Sequence, residues 1–267
     1  MTTDTSKQLT EQENNKADKK DLRRIFVKVG LAIAITVSAI VAVVTTVAVI
    51  GHTNNLRVTR AEYAYLQEIA EIIQEESAHI QLSALDEAML AINPDYVAWI
   101  RVDGTNIDYP VVRGPNNEKY LDRSFYGEEN IAGTIFMDFR NIGNLATHRV
   151  EALRNIIIYG HNLRQGGMFT DLHRLRNDNF LEQNNIITLI VNDNIVRFEI
   201  FSVRLTDVND PAYFLSFNTP QDFPRFADRI GAPLRATQII TLSTCIVGGN
   251  DDDRLIVQGY RLFDTSD

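Results

Sequence analysis

The single cysteine of this 267-residue chain, Cys245, ends the stretch QIITLSTC. One cysteine cannot form an internal disulfide, so its thiol is either an inert small hydrophobe or is needed for chemistry. A thiolate attacks acyl carbons well, but a free thiol with a pKa of about 8.5 is mostly protonated at neutral pH and benefits from a nearby cation. Acyl transfer is therefore the chemistry that this position could support.

Two other residues have the properties that a thiol nucleophile requires. His161 follows an apolar run in IIIYGHN, and Arg254 begins another run nine residues after Cys245. An imidazolium can pair with a thiolate and later give its proton to a leaving amine. A guanidinium can stabilise the oxyanion on the attacked carbonyl. Each residue alone also fits an ordinary structural role, so function depends on folding bringing the three together.

These residues lie at the ends of segments that the sequence predicts to be β-strands. Apolar runs bounded by Gly, Asn or Asp indicate strands and tight turns, such as the turns at 103–104 and 192–194. About eight strands with few long helices favour a closed barrel over an open sheet, because closure removes exposed edges. The predicted strands are 97–102, 107–112, 132–138, 155–160, 186–191, 195–205, 238–244 and 254–262.

Helices are predicted before the barrel and within two of its connections. Residues 59–81 carry apolar side chains at spacings of three, four and seven, with glutamates between them, which indicates an amphipathic helix. Ser83 is the predicted N-cap of a second, shorter helix that ends before the Asn-Pro pair at 93–94. Short helices are also predicted at 168–182 and at 219–230, the latter with a threonine cap.

Residues 29–50 form a stretch of 22 residues without a charged side chain. As a helix this stretch is roughly 33 Å long, about the thickness of the apolar core of a bilayer. A cleaved signal peptide is the alternative, but its apolar region is normally about 7–15 residues long and precedes a small-residue cleavage site. Lys and Arg dominate the residues just before the stretch, so the positive-inside tendency predicts a cytoplasmic N-terminus.

The predicted fold class is mainly β with flanking helices: an eight-stranded β-barrel preceded by two N-terminal helices and one transmembrane helix. Such a chain is a single-pass protein of the cell membrane with its catalytic domain outside the cell. The predicted organisation is a cytoplasmic tail (1–28), a transmembrane anchor (29–50), an extracellular helical segment (51–92) and a catalytic barrel (93–267).

Charge and residue spacing argue against other classes of partner. The chain has 26 Lys and Arg against 35 Asp and Glu, for a net charge of −9. An acidic body argues against nucleic-acid binding, which needs clustered basic residues. The remaining histidines lack ligand spacing to one another, and the aspartate run at 251–253 is more typical of a solvated loop than of a calcium site. No metal and no other cofactor is predicted.

The letters around the three chemical residues resemble the sortases, the membrane-anchored cysteine transpeptidases of Gram-positive bacteria. The resemblance rests on TLSTC (241–245), YGHN (159–162) and the run RLIVQGY that begins at Arg254. It extends over residues 60–265 and implies an eight-stranded sortase barrel that cleaves a sorting signal after its threonine.

Class B is the most similar group of sortases. Residues 93–127, 132–141 and 166–175 resemble class B segments, and the helix at 219–230 lies where class B members carry an extra helix. One departure is Ile246, since several class B members have an acidic residue just after the cysteine.

The resemblance implies a role for each matching residue. Cys245 is the nucleophile, His161 is its ion-pair partner and the general acid, and Arg254 positions the substrate and stabilises the oxyanion. Strand alternation also points Ser243 and Tyr159 to the same face as the catalytic pair. The implied substrate-binding residues are Ser243, Tyr159, Asn117 and Leu121.

The implied partners are a sorting-signal peptide and an amine of the peptidoglycan precursor. Class B resemblance suggests a signal of the Asn-Pro-x-Thr kind, although some relatives have housekeeping or pilus roles. The hypothesis for the reaction is a thioester between Cys245 and the substrate threonine, resolved by the amine rather than by water.

Two alternatives to a sortase remain. L,D-transpeptidase-like enzymes also act at the wall, but they carry an arginine about two residues after the cysteine, and STCIVGG has none. A membrane-tethered binding module with a silent barrel is the other alternative, and loss of Cys245, His161 or Arg254 would have favoured it.

Overall fold

The protein divides into two compact units, Met1–Asn54 and Asn55–Asp267. In the first unit, residues 38–46 are helical. No helix within the described part of the chain is both long and apolar enough to cross a membrane. The predicted tail at 1–28 lies outside the described residues, as does most of the predicted anchor at 29–50. The computed structural model describes residues 38–46, 51, 57–71, 80–141, 153–192 and 194–263.

A closed barrel of eight strands forms the second unit, as the sequence predicts. The strands are β1 (Tyr96–Val102), β2 (Asp108–Val112), β3 (Phe136–Met137), β4 (Asn155–Tyr159), β5 (Ile186–Val191), β6 (Asn194–Asp207), β7 (Ile239–Cys245) and β8 (Asp253–Arg261). Around the barrel they follow the order β1-β2-β3-β4-β7-β8-β6-β5, and pairing of β5 with β1 closes the circle.

Six of the eight neighbouring pairs are antiparallel, whereas β2 and β3 are parallel, and so are β4 and β7. The carboxyl ends of β4 and β7 therefore meet at one edge of the barrel. Because β8 is antiparallel to β7, the beginning of β8 lies at that same edge. The C-terminal ends of β4 and β7 and the N-terminal end of β8 therefore lie next to one another at this edge.

Strand β7 lies between two apolar layers. Its residues from Ile239 to Thr244 are buried, and only Cys245 at its end is exposed. Ile240 and Leu242 face the barrel core, whereas Ile239 packs with aromatic residues of a helix, α4 (Asp222–Arg229), outside the barrel. A strand covered on both faces reads as a continuous apolar run, which is why QIITL is so strongly predicted.

Within the described residues of the second unit, two helical stretches precede the barrel: α1, at residues 57–71, and α2, Ile80–Ile92. Residues 72–79, in the predicted first helix, lie outside the described residues. The end of α2 before Asn93 is as predicted. The predicted N-cap at Ser83 is wrong, because the helix already includes Ile80.

Asp86 of α2 fixes this helix to the barrel. Its carboxylate accepts hydrogen bonds from the Tyr96 hydroxyl at 2.9 Å and from the Asn192 backbone N–H at 2.8 Å. The Asp86 carboxylate is therefore used in tertiary hydrogen bonds to the barrel.

The third strand is much shorter than predicted. Only Phe136 and Met137 form a ladder, although the apolar pattern covers 132–138. Gly133 has a φ of +61°, and its N–H donates to the Asn130 carbonyl within a turn. A left-handed glycine is incompatible with an extended strand, so backbone conformation overrides the pattern here.

Both predicted connecting helices exist with different limits. The segment at 168–182 is a 3₁₀-helix (Thr170–Arg176) followed by α3 (Asp178–Gln183). They are separate because Asn177 is extended and its side chain caps α3 at the Phe180 N–H. The threonine cap predicted at 219 is wrong, because α4 begins at Asp222 and its N-cap position is occupied by Gln221, whose side chain makes no capping hydrogen bond.

Leu242→Ala is expected to lower the free energy of unfolding by about 2–5 kcal/mol, because a fully buried leucine leaves a cavity when truncated. Leu205→Ala is the matched control, since Leu205 also lies in a strand but is 49% exposed. It is expected to cost less than about 0.5 kcal/mol. Urea unfolding measures both values, and equal costs for the two variants would contradict the interior placement of Leu242.

Candidate active site

Strand register places the three candidate chemical groups side by side. In the parallel pair β4–β7, Tyr159 is opposite Ser243, and His161 and Cys245 each follow two residues later. In the antiparallel pair β7–β8, Cys245 is directly opposite Arg254. The structure therefore brings His161, Cys245 and Arg254 to one edge of the barrel on three adjacent strands.

These residues surround an open groove with a volume of about 390 Å³. The Cys245 thiol is exposed to it, whereas Ser243 is buried beneath. All seven residues singled out from the sequence line this groove: Cys245, His161, Arg254, Ser243, Tyr159, Asn117 and Leu121. Six further residues also line it: Phe136, Arg140, Gly160, Val208, Tyr213 and Thr244.

The His161 imidazole is oriented by a main-chain carbonyl. Its Nε2 lies 2.7 Å from the oxygen of Leu121. A carbonyl only accepts hydrogen bonds, so Nε2 carries a proton in this contact. Nδ1 has no hydrogen-bond partner in the described part of the chain and is the nitrogen able to exchange a proton.

Two glycines near His161, one beside its ring and one preceding it in the chain, leave no room for larger residues. A Cβ on Gly160 would lie 2.7 Å from the Phe169 ring, and a Cβ on Gly133 would lie 2.7 Å from the Leu121 carbonyl oxygen and 3.0 Å from the His161 ring. The close approach of these backbones fixes where the imidazole stands.

Asn162 links the end of β7 to the neighbouring 3₁₀-helix. Its Nδ2 donates to the Cys245 carbonyl at 3.0 Å and lies 2.8 Å from His173 Nε2. An amide nitrogen is a donor only, so His173 Nε2 must accept and be unprotonated. Burial, aided by the charge of Arg176, lowers the pKa of His173, in keeping with that state. The sequence motif contained Asn162, but its role depends on a contact across 83 positions of the chain.

The Arg254 guanidinium is held by carbonyl oxygens of its own turn. Its Nη1 donates to the Asp251 oxygen at 2.5 Å and to the Asp253 oxygen at 2.9 Å. Among the described residues it forms no ion pair with a carboxylate, so its charge is available to the groove. The aspartate run therefore supports Arg254 through its backbone, and the described residues contain no cluster of three metal-ligating side chains.

Tyr213 forms part of the groove wall and was not identified from the sequence. Its hydroxyl lies 2.8 Å from Ser243 Oγ, and its ring stacks on Tyr159 with centroids 6.3 Å apart. Burial raises the pKa of Tyr213 despite the bond to Ser243, so the phenol stays neutral. No local motif marks Tyr213, because it reaches the groove from a short 3₁₀-helix, Pro211–Tyr213.

A buried carboxylate, Asp138, holds the groove residues Tyr159 and Asn117. The Asp138 side chain is 0% exposed and accepts two bonds from the Arg140 guanidinium, at 2.9 and 2.7 Å. It also accepts from the Tyr159 hydroxyl at 2.9 Å and from Asn117 Nδ2 at 3.1 Å. Burial alone raises the pKa of Asp138, but the Arg140 and Tyr159 bonds outweigh it and hold the pKa below its usual value.

A thiol, an imidazole and a guanidinium at the open edge of a closed eight-stranded barrel are the elements of a cysteine transpeptidase. The family model of the sortase domain matches residues 100–262. The chain therefore belongs to the sortase family.

Within that family the similarity is to sortase B. The chain is 32% identical to sortase B of Staphylococcus aureus over 219 residues, which cover 78% of this chain and 86% of that protein. The structure of a Staphylococcus aureus sortase B–substrate complex matches with a TM-score of 0.64 at 30% identity, covering 76% of this chain and 95% of that one. Clostridium perfringens sortase B matches with a TM-score of 0.59 at 30% identity, covering 67% and 100%. The protein is a class B sortase, a cysteine transpeptidase.

Asp138→Asn is expected to lower the free energy of unfolding at pH 7 by about 1.5–3 kcal/mol, because charge-assisted hydrogen bonds are lost. A carboxylate with a lowered folded-state pKa stabilises the fold above its unfolded pKa, here 3.8, and loses that contribution as the pH falls through the folded pKa. The difference between the two proteins should thus be constant from pH 7 to about 4 and shrink below it.

Urea unfolding between pH 7 and pH 3 measures this difference. Asp228→Asn, at an exposed position in α4, is the matched control and should change stability by less than about 0.5 kcal/mol. A difference for Asp138→Asn that stays unchanged down to pH 3 would exclude the buried carboxylate as its source.

Asn162→Ala is expected to lower kcat for peptide turnover about fivefold with little change in KM, because losing one hydrogen bond of about 1 kcal/mol leaves the Cys245 backbone less fixed. Asn162 acts through Cys245, so it is a positioning residue. Asn179→Ala, at an exposed site in α3, is the control. An unchanged kcat, or a loss confined to KM, would contradict this role.

Proposed function

We propose that this protein cleaves a C-terminal sorting signal after its threonine and transfers the surface protein to an amine of the peptidoglycan precursor. The observation that carries the proposal is the convergence of Cys245, His161 and Arg254 at one solvent-open groove. The solved complex of a related sortase B with its substrate supports a sorting-signal peptide as the ligand of this groove.

The first half of the proposed reaction forms a thioester. The Cys245 thiolate attacks the carbonyl carbon of the substrate threonine, and the Arg254 guanidinium stabilises the oxyanion. The carbon–nitrogen bond then breaks, and His161 gives its proton to the departing amine. A thioester between Cys245 and the threonine remains.

The second half reverses these roles. The acceptor amine attacks the thioester carbonyl and loses a proton to His161, and Cys245 leaves as the thiolate. The product is a new amide between the surface protein and the wall precursor. Atoms and charges balance without a cofactor, because one amide bond is broken and one is formed, and the thiolate of Cys245 and the imidazolium of His161 are both restored.

The groove walls are proposed to hold the signal peptide. Tyr159 and Ser243 lie on one side, and Asn117 and Leu121 come from the connection between β2 and β3. Asp138 holds Tyr159 and Asn117 through its carboxylate. Such a fixed wall reduces the entropy that binding must overcome.

The site of action is proposed to be the outer face of the cell membrane. The uncharged stretch at 29–50 supports a single-pass anchor, and the basic residues before it support a cytoplasmic N-terminus. In this topology the catalytic unit is on the cell-wall side of the membrane, where both proposed substrates are found.

Cys245→Ala is expected to abolish turnover of an Asn-Pro-x-Thr peptide in the full-length protein, because the nucleophile is lost. With wild type, hydroxylamine should trap the cleaved peptide as a hydroxamate, and mass spectrometry should detect the acyl group on Cys245. Val247→Ala, two residues further along at an exposed position, is the control and should keep wild-type turnover.

The acceptor is tested in the same assay with triglycine, the compound bound in another sortase B structure. Formation of a conjugate between the cleaved peptide and triglycine, at the expense of hydrolysis, is expected. Equal turnover by Cys245→Ala would overturn the thioester mechanism, and hydrolysis alone in the presence of the amine would overturn the transfer step.

A further inference from the structure

A second hollow, with a volume of about 420 Å³, adjoins the catalytic groove. Val208 and Tyr213 line both, so the two form one continuous surface. The far side of the second hollow is formed by Arg225, Phe226 and Arg229 of α4. We call it the arginine hollow.

The amphipathic pattern of α4 places the two arginines there. Phe223 and Phe226 are buried against Ile239 of β7 in an apolar cluster. Arg225 and Arg229 are exposed and four residues apart, so they lie one above the other on the helix surface. The same packing that fixes α4 on the barrel therefore aims two positive charges at the hollow.

The two acidic residues of the arginine hollow are hydrogen-bonded to other groups, and the pKa of Asp222 is lowered chiefly by its bonds from Thr219, with a smaller contribution from the nearby charge of Arg225. Asp210 forms an ion pair with Arg204 at 2.8 Å and caps the Ala212 N–H at 2.8 Å. The Asp222 carboxylate accepts from backbone N–H groups at 218 and 219. Within the described residues neither Arg225 nor Arg229 forms an ion pair. The hollow thus presents two guanidinium groups whose natural ligand is a carboxylate.

The order of strand ends shows which part of a bound peptide reaches the hollow. Along the barrel edge His161 follows β4, Cys245 ends β7, Arg254 begins β8, and β6 ends next to it with Thr206 opposite Arg254. Val208 follows the end of β6 directly. If His161 protonates the leaving amine, the acyl part of the substrate extends the other way, toward Val208 and the arginine hollow.

We propose that the arginine hollow binds an acidic side chain of the substrate protein, located on the N-terminal side of its sorting signal. This inference rests on the proposed function, because it assigns the direction of the peptide from the roles of His161 and Cys245. The hollow then selects among surface proteins by sequence outside the cleaved motif.

The test compares peptides that carry Glu, Ala or Lys at successive positions before the same Asn-Pro-x-Thr motif, with hydroxylamine as acceptor. Wild type is expected to prefer Glu over Lys about tenfold in kcat/KM at one or two of these positions, since two partly exposed charge pairs contribute a few-fold each. The preference should lie in KM and weaken with added salt.

The double variant Arg225→Glu/Arg229→Glu should reverse the preference in favour of Lys while leaving turnover of the Ala peptide within about twofold of wild type. Reversal of the preference distinguishes recognition from a structural role, because loss of a structural role would lower kcat/KM for all three peptides alike. Arg57→Glu, the same charge change on the exposed surface of α1, is the matched control and should keep the preference for Glu.

The possible failures are distinguishable. Absence of turnover for every peptide by wild type would overturn the proposed function itself. Turnover without any preference for Glu, or a preference that survives the double variant, would overturn the arginine hollow as a substrate site. Hydroxylamine carries no anionic group. If the double variant changed turnover only with a phosphate-bearing acceptor, the two arginines would bind the acceptor rather than the sorting-signal substrate, and the proposal would be overturned.

Discussion

The parallel pairing of β4 with β7 is the constraint on which the site depends. Antiparallel strands in these positions would place His161 and Cys245 at opposite edges of the barrel. Parallel neighbours need a long crossover connection, and here it contains β5, β6 and α4. The connection that makes the pairing possible also supplies Tyr213 and the helix beside the groove. The crossover connection between β4 and β7 thus determines both the positions of the catalytic residues and the wall of the groove.

The buried carboxylate of Asp138, next to the β4–β7 pair, helps to fix the shape of the groove. A lone carboxylate with no exposed surface is costly, and it is tolerated only when hydrogen bonds satisfy it. Asp138 receives them from Arg140, Tyr159 and Asn117, which come from separate parts of the chain. Since each donor is needed to offset the burial of one charge, their relative positions are fixed together.

The sequence was sufficient to predict the barrel and the position of its strands. Strands buried on both faces, such as β7, carry a continuous apolar signal that does not depend on their neighbours. Local conformation limited this prediction where Gly133 ends the extended backbone and where α2 already includes Ile80. These features follow from φ angles and tertiary contacts, to which hydrophobic periodicity is insensitive.

Contacts between distant segments explain what the sequence could not identify. Asn162, Tyr213 and Asp138 contribute through partners set by strand register, and their neighbours in sequence give no sign of it. Resemblance to a known family identified Asn117 and Leu121 as groove residues. Residue spacing alone could not have predicted that they lie in the same groove as Cys245.

The solitary exposed thiol has a consequence for the redox chemistry of this protein. A sulfenic acid formed on Cys245 has no second cysteine in the chain with which to condense. The oxidised cysteine therefore cannot be converted into an internal disulfide, and its reduction requires a thiol from another molecule. Whether an oxidised Cys245 returns to the thiol therefore depends on reductants in the surroundings of the enzyme.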